Sequence, residues 1–385
     1  MKKLFGVVLT IVMVMSLFAG CNSSNGGDEG AARIKIGAIG PLTGGAAIYG
    51  NAVKNAMELA VEEVNAEGGV QFELNFQDDA HDAETSVNAY GILMDWGMQM
   101  LVGPVTSTPA AAVAAEAEAD GVFMLTPSAS SVKVIEGKTH VFQMCFSDPN
   151  QGVGSADYMS EHGIGKSVAI IYRSDDAYSV GIYEKFVSEA ATKGINIVYT
   201  GTFEEANKTE FSSQLTAAKQ AGADVLFLPI YCESIAPLMT QAISMGYDVD
   251  YFGVDGMDGI LEVEGFDTSL AEGAYLLTPF SADATDEKTT HFVEAYKAKY
   301  NEVPNQFAAD AYDCVYAIYE ACNAEGVTAD MSAQEVCSAL VDQFATGKLV
   351  FSGVTGSNMT WDSTGAVSKS PMAVVIKDGK YALAD

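Results

Sequence analysis

Basic residues are scarce in this chain: 20 Lys and Arg stand against 51 Asp and Glu in 385 residues, a formal net charge of −31. A field of that sign repels polyanions, which argues against nucleic acid as a partner and against electrostatic attraction to an anionic membrane. Charged residues are nevertheless only 18% of the chain and hydrophobic ones 49%, so the acidity reads as a solubilising surface on a body able to bury a core. Histidine is rarer still. His81, His140, His162 and His291 are scattered, none beside a nucleophile or a metal-type cluster, so acid–base and nucleophilic catalysis have no visible apparatus. Apart from Cys21, the cysteines at 145, 232, 314, 322 and 337 contain no C-x-x-C pair, which excludes the usual zinc spacing and a disulfide framework. A Cys322–Cys337 link and five free buried thiols both stay open.

Long apolar runs are also missing, except at the start. Met1-Lys2-Lys3, a mainly apolar run over 4–18 and the small pair Ala19-Gly20 before Cys21 have the order of a secretory signal, and the run is too short to span a bilayer. The cleavage region resembles a bacterial lipobox, which makes Cys21 the lipidation site, with Phe18 where that pattern prefers Leu. Residues 1–20 are then a removed lipoprotein signal peptide and 21–32, rich in Gly and Ser, a flexible tether from the anchor.

From Arg33 onward, β-type runs alternate with helical ones. Strands are predicted at 34–39, 72–77, 100–103 and 122–125, separated by helices over 50–66, 82–96 and 109–119. A second series follows Asp148-Pro149-Asn150, with strands at 167–172, 195–200, 224–228 and 251–254 and helices over 178–192, 210–220 and 234–245. The remainder, with helices over 285–300, 306–323 and 332–344 and a last strand at 372–376, has too few strands for a third sheet. The fold class is therefore α/β, two doubly wound parallel-sheet lobes joined by a hinge that the chain crosses more than once. The lobes are predicted as 33–147 plus 281–352 and 148–280 plus 353–385, with a ligand crevice at the carboxyl ends of both sheets.

Several chemical motifs fail on inspection. Gly165-Lys166-Ser167 has Ser160 where a P-loop needs its first Gly, and it leads into a strand. The Gly-rich turn after the first strand lacks G-x-G-x-x-G spacing, so no dinucleotide cofactor is expected. A calcium loop at Asp248 fails at Phe252 and Gly259. Asp78, Asp79 and Asp82, like Asp175-Asp176, sit where carboxylates cap helix amides. No metal and no cofactor are predicted.

Two loops are more informative. Gly103-Pro104-Val105-Thr106-Ser107-Thr108-Pro109 and Thr126-Pro127-Ser128-Ala129-Ser130-Ser131 each follow a short buried strand and set hydroxyls beside free amides at a helix start, a place that holds a carboxylate. Taken with Ile36-Gly37-Ala38-Ile39-Gly40-Pro41-Leu42-Thr43-Gly44 and Tyr49-Gly50, they resemble the type I periplasmic binding proteins of the leucine/isoleucine/valine-binding family over nearly the whole chain from Arg33. The resemblance implies a solute-binding protein and not an enzyme, serving an ABC permease and taking an amino acid, branched-chain or otherwise uncharged in its side chain. An amide, urea or small aromatic acid as ligand, or a sensory role, is the alternative.

The resemblance also assigns roles. Ser107 meets the ligand carboxylate, the Ser128 carbonyl accepts from the ammonium, and Ser130 contacts both. Tyr178 and Tyr231 line the cleft, Tyr49 packs on the ligand side chain, and Asp255 pairs with the ammonium. The family's Tyr-Gly pair is Tyr178-Ser179 here, and its Glu is Asp255.

Overall fold

The computed structural model describes residues 32–384; the predicted signal peptide, Cys21 and the tether up to Ala31 lie outside the described residues. The first sheet is built from β1 (Ile34–Gly40), α1 (Ala47–Glu67), β2 (Phe72–Asp78), α2 (Ala83–Trp96), β3 (Met100–Val102), α3 (Ser107–Asp120), β4 (Met124–Thr126), α4 (Val132–Ile135) and β5 (Val141–Gln143). All its strands are parallel, in the order β2-β1-β3-β4-β5. β3 and β4 are buried at every position, as a strand covered by helices on both faces must be.

The chain then leaves for the second sheet through α5 (Asp148–His162), followed by β6 (Val168–Arg173), α6 (Ala177–Lys193), β7 (Ile197–Phe203), α7 (Ser212–Gln220), β8 (Val225–Leu228), α8 (Cys232–Ser244), β9 (Asp250–Gly253) and β10 (Tyr275–Thr278). It returns for α9 (Glu287–Tyr300), α10 (Gln306–Glu325) and α11 (Ala333–Ala345), where α10 packs along α1 and α11 reaches β3. A third crossing delivers β11 (Met372–Lys377) and β12 (Lys380–Leu383), which add antiparallel to β10 and complete the order β12-β11-β10-β9-β8-β6-β7. The α/β class and the pair of Rossmann-like lobes predicted from the alternation are present.

Four elements escaped the sequence, the short α4 and β12 together with β5 and α5. β5 is three residues long, and α5 is diluted by Gly152 and Gly154, so neither carries a strong periodic signal. α5 nonetheless packs closely on α6, because a Cβ at Gly152 would stand 2.6 Å from the Ile182 carbonyl oxygen. The segment 353–367, placed by sequence with the second lobe, runs instead beside β5: Gln143 N donates to Gly365 O (2.9 Å) and Trp361 Nε1 to Gln143 O (2.7 Å). Burying the Trp361 ring against Phe344 holds it there, so the last crossing falls after Val367 and not at 353. The acidic caps are as expected, with Asp82 accepting from Thr85 N and Asp176 from Ser179 N at the starts of α2 and α6. Cys145, Cys232, Cys314, Cys322 and Cys337 are all free and buried, which settles the Cys322–Cys337 alternative.

Candidate functional site

The two serine-rich loops lie at the carboxyl ends of β3 and β4 and are tied to each other. Thr126 Oγ1 donates to Pro104 O (2.7 Å), Ser128 Oγ to Val105 O (2.7 Å), and Ser131 N to Ser107 Oγ (3.2 Å). Gln143 Nε2 braces the second loop from β5 by donating to Ala129 O and Ser131 O. Gly103 makes the turn possible: its φ is +109°, and a Cβ there would lie 2.3 Å from Ile39 O. Ser107, Ser128 and Ser130 are all buried, and the Ser130 hydroxyl has no hydrogen-bond partner among the described residues. The Ser128 hydroxyl proton is already committed to Val105 O, so what that residue can offer a ligand is an acceptor, its hydroxyl oxygen or its backbone carbonyl.

The second lobe contributes Asp255, in a 3-10 turn (Asp255–Met257) just past β9. Tyr178 Oη donates to Asp255 Oδ1 (2.5 Å) and accepts from Gly256 N (2.8 Å); Gln151 Oε1 accepts from Asp255 N (3.2 Å), and Gln306 Nε2 donates to Asp255 O (3.0 Å). Gly256 is required for this close approach, since a Cβ would stand 2.5 Å from Tyr178 Oη. Asp255 is only 2% exposed, and burial pushes its carboxyl up to about 7 although Tyr178 and Gln151 pull it back. Burial and the Asp255 charge hold the Tyr178 hydroxyl protonated, well above the ordinary tyrosine range. That tyrosine is therefore a fixed donor.

Tyr231 stacks on Tyr178 at 4.6 Å and meets Tyr49 at 5.5 Å. Tyr49 closes the lobes on each other: its hydroxyl, carried on the first lobe, accepts from Cys232 N (2.8 Å) and donates to Gly256 O (2.7 Å) of the second. Its ring packs on Phe307 at 4.3 Å. A second bridge joins Thr108 Oγ1 to Asp176 Oδ1 (3.0 Å). All seven residues singled out from the sequence thus gather where the lobes meet, and all are buried. The sequence did not point to Gln151 or Gln306, which act on backbone groups that no local motif announces, and it marked Thr108 only as part of the first loop, without its contact to the other lobe.

The family model described as periplasmic binding protein matches residues 33–380. The chain belongs to the periplasmic binding protein family. Within it, the type I proteins of the leucine/isoleucine/valine-binding group are the relatives found. A Leu/Ile/Val-binding protein homolog 3 of Brucella melitensis biotype 1 is 32% identical over 91% of this chain and 93% of its own. The branched-chain amino acid transporter substrate binding protein LivJ of Streptococcus pneumoniae, solved in complex with isoleucine, is 29% identical, covers 92% of this chain and 99% of its own, and has a TM-score of 0.82. A solute binding protein of R. palustris solved with benzoate shares the fold at TM-score 0.81 and 19% identity, over 92% and 95% of the two chains. Members of this family are solute-binding proteins and not enzymes. Among the described residues, no three His, Cys, Asp or Glu side chains are grouped to hold a metal, and no helix is long and apolar enough to cross a membrane.

Proposed function

We propose that the protein captures an α-amino acid with an uncharged, branched-chain type of side chain in the cleft between its lobes and presents it to an ABC permease, held at the membrane by a lipid on Cys21. The observation that carries this reading is the buried Asp255 carboxylate, fixed by Tyr178 and by two glutamines on its backbone, facing a lobe whose serine loops offer hydroxyls and amides. One side suits an ammonium and the other a carboxylate. In this reading Ser107 and Ser130 receive the carboxylate, the Ser128 carbonyl and Ser130 share the ammonium with Asp255, and Tyr49, Tyr178 and Tyr231 line the cleft. Contact with both lobes favours the closed state, so binding and closure are one equilibrium. The names of the Brucella and Streptococcus relatives support the ligand class. A ligand without a cation, such as benzoate or urea, leaves Asp255 buried and unpaired, at a cost that a branched-chain amino acid avoids.

Thermal-shift measurement of the protein lacking residues 1–20 tests the reading. Leucine, isoleucine or valine at a hundred times Kd stabilises the fold by about 2.7 kcal/mol by mass action. Stabilisation by benzoate or urea with none by these amino acids would reverse the assignment.

A further inference from the structure

A small cavity lies where the chain crosses from β10 back to α9. It measures about 30 Å³, room for one water or one ion, and Asp258, Glu262, Ser281 and Tyr381 are in its wall. None of the seven cleft residues lines it. The turn at Gly259, with φ +104°, brings Asp258 and Glu262 to the cavity from one short segment. Tyr381 comes from β12, and its Oη accepts from Gly259 N (2.9 Å). Ser281 stands on the crossing itself. Asp258 and Ser281 are each 4% exposed. Asp258 Oδ2 accepts from Gln306 N (2.8 Å), yet the charges acting on it most strongly, those of Glu262 and Asp255, are both negative. The Ser281 hydroxyl has no hydrogen-bond partner among the described residues. A buried carboxylate among like charges and a buried hydroxyl without a partner both forfeit hydration, and here they share one wall.

We propose that this cavity is a calcium site, in which Asp258 and Glu262 supply the charge and the Ser281 and Tyr381 hydroxyls further oxygens. All four donors are oxygen, the set that suits a hard cation and not zinc or copper. Calcium accepts irregular oxygen cages with water in its shell, whereas magnesium demands a near-octahedral one. Half of these donors are neutral, so the site differs from the groups of three acidic, histidine or cysteine side chains that the described residues lack. The ion has a way in. Glu262 is exposed on its outer side and also lines a groove of about 610 Å³ beside the start of α1, where Glu233, Glu264 and Glu302 add negative charge. Of these, Glu233 is paired with Lys208. A groove of one sign concentrates cations ahead of the site. Bound there, the ion ties the Asp258 turn and β12 of the second lobe to the crossing at Ser281. It also steadies the contact of Asp258 with Gln306, whose side chain holds the Asp255 carbonyl, so the site braces the cleft from behind. The inference does not depend on which ligand the cleft takes.

The test is thermal unfolding of the protein, first dialysed against EDTA, in CaCl2 and in NaCl of equal ionic strength. Two carboxylates and two hydroxyls at a solvent-reached site suit a Kd on the order of 1 mM. At about 10 mM CaCl2 the expected result is then a midpoint about 2–3 °C above that in NaCl. Glu262→Gln should abolish this rise, and so should Asp258→Asn, which keeps an acceptor for Gln306 N. Glu264→Gln, in the outer groove only, should leave it unchanged. No rise of the native protein over NaCl overturns the site. A rise of native size in Glu262→Gln shows calcium screening the acidic surface alone, and loss of the rise in Glu264→Gln shows it held in the outer groove; either overturns the site as well. If Asp258→Asn does not fold, Glu262→Gln decides the matter, because its side chain is exposed.

Discussion

The molecule buries carboxylates in two places and treats them differently. At the hinge, Asp310 and Asp313 on α10 are supplied with partners from the chain itself: Lys369 Nζ lies 2.7 Å from Asp310 Oδ1 and donates to Thr355 Oγ1 (2.6 Å), while Asp313 accepts from Val354 N, Thr355 N and the Thr355 hydroxyl. In the cleft, Asp255 has one hydroxyl donor on its carboxylate and Asp148 has none, with no lysine or arginine paired to either among the described residues. Burial pushes Asp310 up to about 6 and the Lys369 charge pulls it back, whereas Asp255, without a cation, stands at about 7. The hinge pair is complete as folded. The cleft pair has no such partner, and the proposed function assigns that place to the ammonium of the ligand.

The contrast can be broken from either end. The largest expected effect is at the hinge: Lys369→Met strands two buried carboxylates and should cost about 3–5 kcal/mol of stability, read as the midpoint shift in urea unfolding. Asp255→Asn should do the opposite to the unliganded fold. It removes a buried acid whose carboxyl is raised from 3.8 to about 7, which is worth up to about 4 kcal/mol above pH 7. The same substitution should lower amino-acid affinity by about 2–5 kcal/mol.

The pH dependence follows with its sign. A carboxyl raised on folding binds more protons in the native state than in the unfolded one, so its contribution falls as pH rises from about 4 to about 7. Asp255 and Asp258, both pushed up to about 7 by burial, should make the free protein more stable near pH 5 than near pH 8. Amino-acid affinity should run the other way, strengthening up to about tenfold per pH unit until Asp255 is ionised. The smallest effect concerns closure. Tyr49→Phe removes the hydroxyl that joins Cys232 N and Gly256 O across the lobes and should cost about 1 kcal/mol, seen as a few-fold loss of affinity and a more open mean shape in small-angle scattering.

Much of this arrangement was legible from the chain alone. Strand and helix alternation announced the two sheets, and Asp82 and Asp176 announced their helix starts, because local hydrogen bonding ties those features to short stretches of sequence. The cleft residues were legible through family likeness and not through spacing. Nothing local marks Asp255 off from a turn residue, and only the fold brings Tyr178 and Gln151 to it from 77 and 104 positions away. Asp148 was hidden twice, by the weak helical signal of α5 and by the Asp-Pro pair that reads as a turn. The path of 353–367 depended on where Trp361 finds a core, which only tertiary packing decides.

The central proposal is that the buried carboxylate at 255, which has a hydroxyl donor but no cationic partner among the described residues, receives a ligand ammonium. Titration calorimetry of isoleucine into the native and Asp255→Asn proteins at pH 8 tests it most directly. The account predicts tight binding by the native protein and a loss of thirtyfold or more in the variant, with the variant's unfolding midpoint equal to or above the native one. Equal affinity of the two proteins for isoleucine would contradict it.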